Sequence, residues 1–198
     1  CRPLSDFFSI QGGSQPPAKT FIDDPREGYV RLLQIRDFLG DSHLTFVPEA
    51  KNLRLVSEDD VLIGRYGSGS GKFMDDSLGR PLRGLSGAIN VAVVRTIPKQ
   101  SNMVELIYAM VLSGWFYRQI VGGSARAVQA GFRKEDLDLI PFALPPDQVL
   151  DVFQELGGNI WEKSKLLTAE INTLSLLRDA LLPRLISGEL RVPDAEKM

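Results

Sequence analysis

Phe153, Ile160, Leu167, Leu174 and Leu181 recur at intervals of seven, and Ile171 and Leu185 form a companion row interrupted by Ser164 and Arg178. A seven-residue apolar repeat demands a helix with a partner, because it keeps one seam on one side only if a second helix covers it. Pro145-Pro146-Asp147-Gln148 opens the segment, since proline suits a first turn where its missing N–H loses no bond. Roughly forty helical residues would reach about 60 Å. A helix of that length outreaches a domain of the size that precedes it, so pairing with another helix is expected; folding back on its own domain is the alternative. Gly157-Gly158 costs about 2 kcal/mol relative to alanine and predicts a kink. Pro183 predicts a kink or an end, and Ser187-Gly188 a stop.

The 198 residues suffice for one sizeable core with an appendage, or for two small domains, and 43% hydrophobic with 24% charged residues is a globular composition. The longest apolar runs, such as Ile89–Val94 with Asn90 inside it, are too short to cross a membrane. No charged and then apolar leader opens the chain, so a cytoplasmic location is expected. Cys1 has no second cysteine to pair with, and one Cys with one His (His43) falls short of a zinc ligand set. A first residue other than Met suggests processing or truncation.

The net charge of −2 hides a segregation. Residues 61–134 carry ten Lys and Arg against three acids, whereas residues 141–198 carry six against nine. A basic middle suits contact with phosphate, and an acidic helix suits contact with protein; solvated charges round a globule are the bland alternative.

Residues 1–144 alternate short β-like runs with glycine turns and predict an α/β (α+β) globule with a mixed or antiparallel sheet. Tyr29–Ile35, Asp60–Arg65 and Gly87–Arg95 read as strands, and Gly67–Lys72 as a hairpin or loop. Ser101–Val121 reads as one helix, with Ser101 as N-cap and Gly122-Gly123 as stop. Residues 145–190 form the long helix, and 191–198 a tail.

Several motifs fail on inspection. Residues 67–72 invite a phosphate-loop reading, but Tyr66 stands where the first glycine is needed and Phe73 replaces the Ser/Thr. Lys72 likewise breaks a dinucleotide-binding glycine pattern. Asp41, Glu49 and Lys51 have the shape of a metal-dependent nuclease motif, which is short and common by chance. The pairs Asp23-Asp24, Asp59-Asp60 and Asp75-Asp76 read as turn chemistry. An Asn-Pro-Pro-aromatic motif for flipping adenine is absent, and His43 has no obvious nucleophile beside it. No catalytic residue and no metal ligand is assigned.

For nucleic acid the candidates are Arg65, Tyr66, Lys72, Arg80, Arg83, Arg126, Gln129, Arg133 and Lys134. Arg and Gln make bidentate bonds to guanine and adenine edges. Lys72, beside a glycine, suits phosphate because bare backbone permits close approach. Gly122–Gln129 carries an Arg and a Gln on a glycine turn, a plausible base-reading loop. Each of these residues also has an ordinary reading as a solvated surface charge.

The ending Leu177-Arg178-Asp179-Ala180-Leu181-Leu182-Pro183-Arg184-Leu185-Ile186-Ser187-Gly188-Glu189-Leu190, after a spacer helix, closely resembles the C-terminal repeat of the DNA-specificity subunit of type I restriction–modification enzymes. Phe8-Ser9-Ile10-Gln11-Gly12-Gly13-Ser14 looks like the early glycine turn of that family's target recognition domains. Gly28–Asp37, Asp59–Ile63 followed by Gly67, Gly122-Gly123-Ser124-Ala125 and Leu137–Pro146 resemble its later signatures in order. Gln148 fits the entry to the spacer helix, while Asp147 stands where Glu is expected.

The resemblance implies a non-catalytic subunit that binds double-stranded DNA in the major groove and holds a modification (methyltransferase) subunit against it. S-adenosylmethionine, ATP and Mg2+ would then sit only on partner subunits, with a restriction/translocase subunit engaged indirectly, and this chain would bind no cofactor. A full specificity subunit has two such repeats, whereas this sequence has one and lacks the tryptophan-containing lead-in. The expectation is either half of a longer subunit or a half-sized subunit that dimerises. In both cases the seam of Phe153, Ile160, Leu167, Ile171, Leu174, Leu181 and Leu185 pairs antiparallel with a second repeat. The polar flanks, with Asp151, Glu155, Glu162, Lys163, Glu170, Arg178 and Arg184, would meet the modification subunit. A free-standing nuclease and a coiled-coil assembly protein without a DNA role are the alternatives.

Overall fold

The computed structural model describes residues 1–38, 43–67, 72–123 and 130–190. It divides into two compact units, Cys1–Gln154 and Glu155–Met198. The first contains two four-stranded sheets. One runs β2 (Phe8–Gly12), β10 (Val93–Pro98), β6 (Leu62–Gly64), β8 (Pro81–Leu82) and is antiparallel throughout. The other runs β4 (Phe46–Pro48), β3 (Tyr29–Leu33), β9 (Gly87–Ile89), β5 (Leu55–Val56) and is mixed, with β3 and β9 parallel and the other pairs antiparallel. Two short antiparallel ribbons join β1 (Arg2–Pro3) to β12 (Pro141–Phe142) and β7 (Tyr66–Gly67) to β11 (Ala130–Gly131). This is the α/β architecture expected from the sequence.

Successive strand residues point to opposite faces, and here both faces are covered. In β6, Ile63 enters the largest core while Leu62 enters a second; in β10, Val94 and Val93 divide in the same way. The first core holds Phe8, Met103, Ile107, Val111, Phe116 and Leu137. The second joins β6 and β10 to Leu33 and Ile89 of the mixed sheet, whose far side packs Leu32 and Ala88 against Val47 and Leu53. Strands enclosed on both sides lose the polar alternation that marks a half-exposed sheet.

That enclosure explains one departure from expectation. Gly87–Arg95 reads as a single strand, but the chain turns at Asn90 and crosses between sheets. Val93 N–H donates to Asn90 O at 3.2 Å and Ala92 N–H to Asn90 Oδ1 at 3.0 Å, closing the turn. The predicted helix over Ser101–Val121 is likewise interrupted. A 3-10 turn, Ser101–Met103, leads into α1 (Val104–Leu112), and Gly114, at φ 71°, separates it from α2 (Trp115–Gly123). Ser101 makes no side-chain cap; the reversal at Gly114 lets Met110 and Phe116 serve one core.

The long helix, α3, spans Asp147–Ile186. Its first turns belong to the first unit: Leu150 is buried, Asp151 Oδ1 accepts from Asn102 Nδ2 at 2.7 Å, and Gln154 Oε1 accepts from Glu105 N–H at 3.1 Å. Gly157-Gly158 does not interrupt the helix, and it continues past Pro183 for a further turn. Gly188, at φ 76°, follows the last turn, where Ser187 N–H donates to Pro183 O at 2.9 Å and Gly188 N–H to Leu185 O at 3.2 Å. Among the described residues no helix is long and apolar enough to cross a membrane.

Candidate nucleic-acid interface

Three cations of the basic segment, Arg65, Arg133 and Lys134, adjoin the ribbon of β7 and β11. Arg65 lies between β6 and β7, and its N–H donates to Ala92 O at 2.9 Å. Arg65 and Phe132 exchange bonds: Phe132 N–H donates to Arg65 O at 3.2 Å, and Arg65 Nε donates to Phe132 O at 3.2 Å. The Arg65 guanidinium lies 5.4 Å from the centroid of the neighbouring Tyr66 ring. Tyr66 pairs with Gly131 across the ribbon and keeps 41% of its surface exposed.

Arg133 and Lys134 follow directly and are both exposed. Their backbone is held from both ends. The Phe132 ring is buried edge-on against Phe116 at 5.2 Å, and Arg133 N–H donates to Asp136 Oδ2 at 2.6 Å, opening the 3-10 turn Lys134–Leu139. Two cations are thereby presented on a fixed backbone beside Arg65, an arrangement suited to phosphate. Lys72 is exposed at the entry of the 3-10 turn Phe73–Asp75. That turn is tied down by buried Asp76, which accepts from Leu78 N–H at 3.2 Å and Tyr117 Oη at 3.3 Å. Arg80 is half-buried, with its carbonyl accepting from Gly64 N–H at 3.0 Å.

Arg83 has a different place. Its guanidinium makes a bidentate pair with Glu105 at 2.8 and 2.9 Å, the two side chains are 3% and 5% exposed, and it lies 5.1 Å from the centroid of the Tyr108 ring. Read from sequence with the DNA-facing cations, it is instead an internal tie between the segment after β8 and α1. One basic and one acidic residue of the 61–134 tally therefore cancel inside the fold. Burial pushes the Tyr108 phenol up, against the opposing effect of Arg83.

Arg126 and Gln129 lie outside the described residues, as do Asp41 and the tail 191–198. Gly67 and Ala130 are partners in the ribbon. Sequence reasoning passed over Arg118 and Gln119. With Ile120, Gly122, Asp136, Leu139 and Ile140 they line a groove of about 430 Å³ beside the Arg133–Asp136 turn. Their signal was membership of the basic segment alone.

In the second unit the seam is open. Ile160, Leu167, Ile171 and Leu174 are 71%, 48%, 62% and 56% exposed, and Leu181 is half-buried. Phe153, in the first unit, and Leu185 are also exposed. Of the polar flank, Glu162 pairs with Lys165 at 2.7 Å, Arg178 with Asp179 at 2.8 Å and Arg184 with Glu189 at 3.1 Å. Exposed pairs of this kind contribute little to stability.

Glu49 and Lys51 line a shallow groove with Ala50, Leu53 and Leu55. Among the described residues no three His, Cys, Asp or Glu side chains come together as metal ligands.

No family model matches the chain. It is 22% identical over 200 residues to the type I restriction enzyme MjaIX specificity subunit of Methanocaldococcus jannaschii, covering 96% of this chain and 44% of that protein. Its fold matches a chain from a structural study of complex assembly and conformational transition of the type I R-M system, with TM-score 0.54, 18% identity, and coverage of 92% of this chain and 44% of the other. It also matches the HsdS subunit from Thermoanaerobacter tengcongensis, with TM-score 0.50, 18% identity, and coverage of 96% and 45%. The chain thus has the fold of a specificity-subunit half-repeat and spans less than half the length of these relatives. Neither the nuclease nor the assembly-only alternative gains support from them.

Proposed function

We propose that this chain is one half-repeat of a type I DNA-specificity subunit, whose recognition domain reads one half of a bipartite site in double-stranded DNA. The observation that carries this reading is the coverage: nearly the whole chain, globular unit and helix together, matches less than half of a specificity subunit. Phosphate contacts from Arg65, Lys72, Arg133 and Lys134 set the register, and side chains at the ribbon read the bases. Arg126 and Gln129 remain candidates for that reading.

The open seam of α3 pairs with a second repeat, either in the same subunit or in a second copy, so helix length sets the gap in the target. Glu162, Glu170, Arg178 and Arg184 belong to the face that meets the modification subunit. That partner would flip and methylate an adenine with S-adenosylmethionine; ATP and Mg2+ would serve a restriction/translocase subunit. The chain's own role is positioning, without catalysis, in the cytoplasm where the DNA lies.

Co-expression with the modification subunit in a methylation-free host, followed by mapping of N6-methyladenine, tests the reading. A bipartite methylated motif is expected. Failure of the two proteins to co-purify would sink it.

A further inference from the structure

We propose that Tyr66 and Ile35 form a receptor for the 5-methyl group of a thymine in the major groove, which makes Tyr66 a specificity-determining residue. The inference rests on the DNA-reading function above and names the base chemistry that one part of the interface selects.

Tyr66 is an exposed aromatic held in place from several directions. Its ring lies on Gly131 so closely that a Cβ there would stand 2.5 Å from Cδ1 and 2.8 Å from Cε1. The Arg65 guanidinium lies 5.4 Å from the ring centroid. The Tyr66 carbonyl accepts from Ser77 Oγ at 2.8 Å. The next residue, Gly67, has no room for a side chain, because a Cβ would run into the Asp76 carboxylate. A surface tyrosine usually keeps rotamer freedom that binding must remove; the close approach to Gly131 restricts that of Tyr66.

Beside the ring is an open hollow of about 390 Å³ lined by Ile35, Tyr66, Gly67 and Ser77. Among the described residues no charged side chain lines it, and those residues make a poor seat for phosphate. The Ser77 hydroxyl proton is committed to the Tyr66 carbonyl. The rest of the described lining is an aliphatic side chain, an aromatic face and glycine backbone, with the Ser77 oxygen left only as an acceptor. Of the groups that the major groove presents, only the thymine methyl is apolar. A hollow of this chemistry gains by covering a methyl, and with the Ser77 proton already used that hydroxyl has no donor to offer the acceptor-only edge of a guanine.

The test uses the complex with its modification subunit and the methylated motif mapped as above. Duplexes carrying that motif are prepared with each thymine replaced singly by deoxyuridine, which removes only the methyl. At one position the wild-type complex binds the deoxyuridine duplex about fourfold more weakly, the worth of one covered methyl. Tyr66→Ala binds the thymine and deoxyuridine duplexes alike at that position, and Tyr66→Phe retains the discrimination because the hydroxyl takes no part. Equal binding of every deoxyuridine duplex by the wild type overturns the proposal, and this arm needs no variant to fold. Discrimination that survives in Tyr66→Ala, a uniform loss across sequences in that variant, or a half-site without a T·A pair also overturns it. Failure of the chain to co-purify with the modification subunit is a separate outcome: it removes the specificity-subunit reading itself.

Discussion

Arg83 and Glu105 are joined by two hydrogen bonds of 2.8 and 2.9 Å in the interior of the first unit, with Tyr108 beneath the guanidinium. The same Glu105 offers its N–H to Gln154 of α3, so the pair sits where the sheet, α1 and the start of the long helix meet. Leaving one buried charge without its partner costs about 3–5 kcal/mol, whereas replacing both by apolar residues of similar volume is often neutral. Arg83→Met and Glu105→Leu should each destabilise by about that amount, and the double variant should recover most of the loss. Denaturant titration of the three variants checks it.

Tyr108 provides a pH signature for the same cluster. Its phenol is raised above the ordinary value of 10.0 by burial, with Arg83 lowering it and Glu105 raising it. An acid whose folded pKa is raised contributes stability that is complete below the unfolded value and is lost as pH rises through the folded value. Unfolding free energy should therefore fall above pH 10, and Tyr108→Phe should flatten that alkaline limb. Phenolate absorbance and denaturant melts, followed together, test the link.

Gly114 adopts a φ of 71°, and a Cβ there would come within 2.9 Å of the Phe73 ring. Gly114→Ala should cost about 1–2 kcal/mol from the left-handed conformation alone, with more from displacing Phe73. Gly122→Ala, with open space around it, serves as the comparison in thermal melts.

Salt dependence separates the cations. If Arg133 and Lys134 touch phosphate, replacing either by alanine weakens DNA binding by the assembled complex evenly across sequences. Each replacement lowers the slope of log K against log salt by about one. Arg83, being buried, should leave that slope unchanged in the Arg83→Met/Glu105→Leu double variant. Binding measured over a salt series distinguishes the two groups.

The seam makes a prediction about assembly. Leu167 and Leu174 are 48% and 56% exposed on consecutive heptads. Leu167→Asp combined with Leu174→Asp should abolish pairing with the second repeat, whether in another copy or another half-subunit. Light scattering should show the loss of mass, with the helical circular dichroism of the first unit retained.

Elements governed by local pattern were legible in the sequence. The heptads, with prolines before them and Ser187-Gly188 after, mark α3 because helix periodicity, caps and stops are encoded within a few residues. Tyr29–Leu33 and Leu62–Gly64 were legible as strands for the same reason. The corner at Asn90 and the break at Gly114 were not, since both exist to pass the chain between cores that form only when distant segments meet. Arg83 and Arg133 look alike in sequence, yet one is buried against Glu105 and the other is held at the surface by Asp136 at its backbone.

The sequence by itself determined the long amphipathic helix, the α/β class of the preceding domain and the concentration of positive charge in its middle, all of which follow from spacing and composition. Only the tertiary structure decided which cations face solvent, that Tyr66 is seated on Gly131, and that the start of α3 is tied to α1. Burial and pairing depend on residues far apart in the chain, and a side chain's charge carries no record of the partner that folding places beside it.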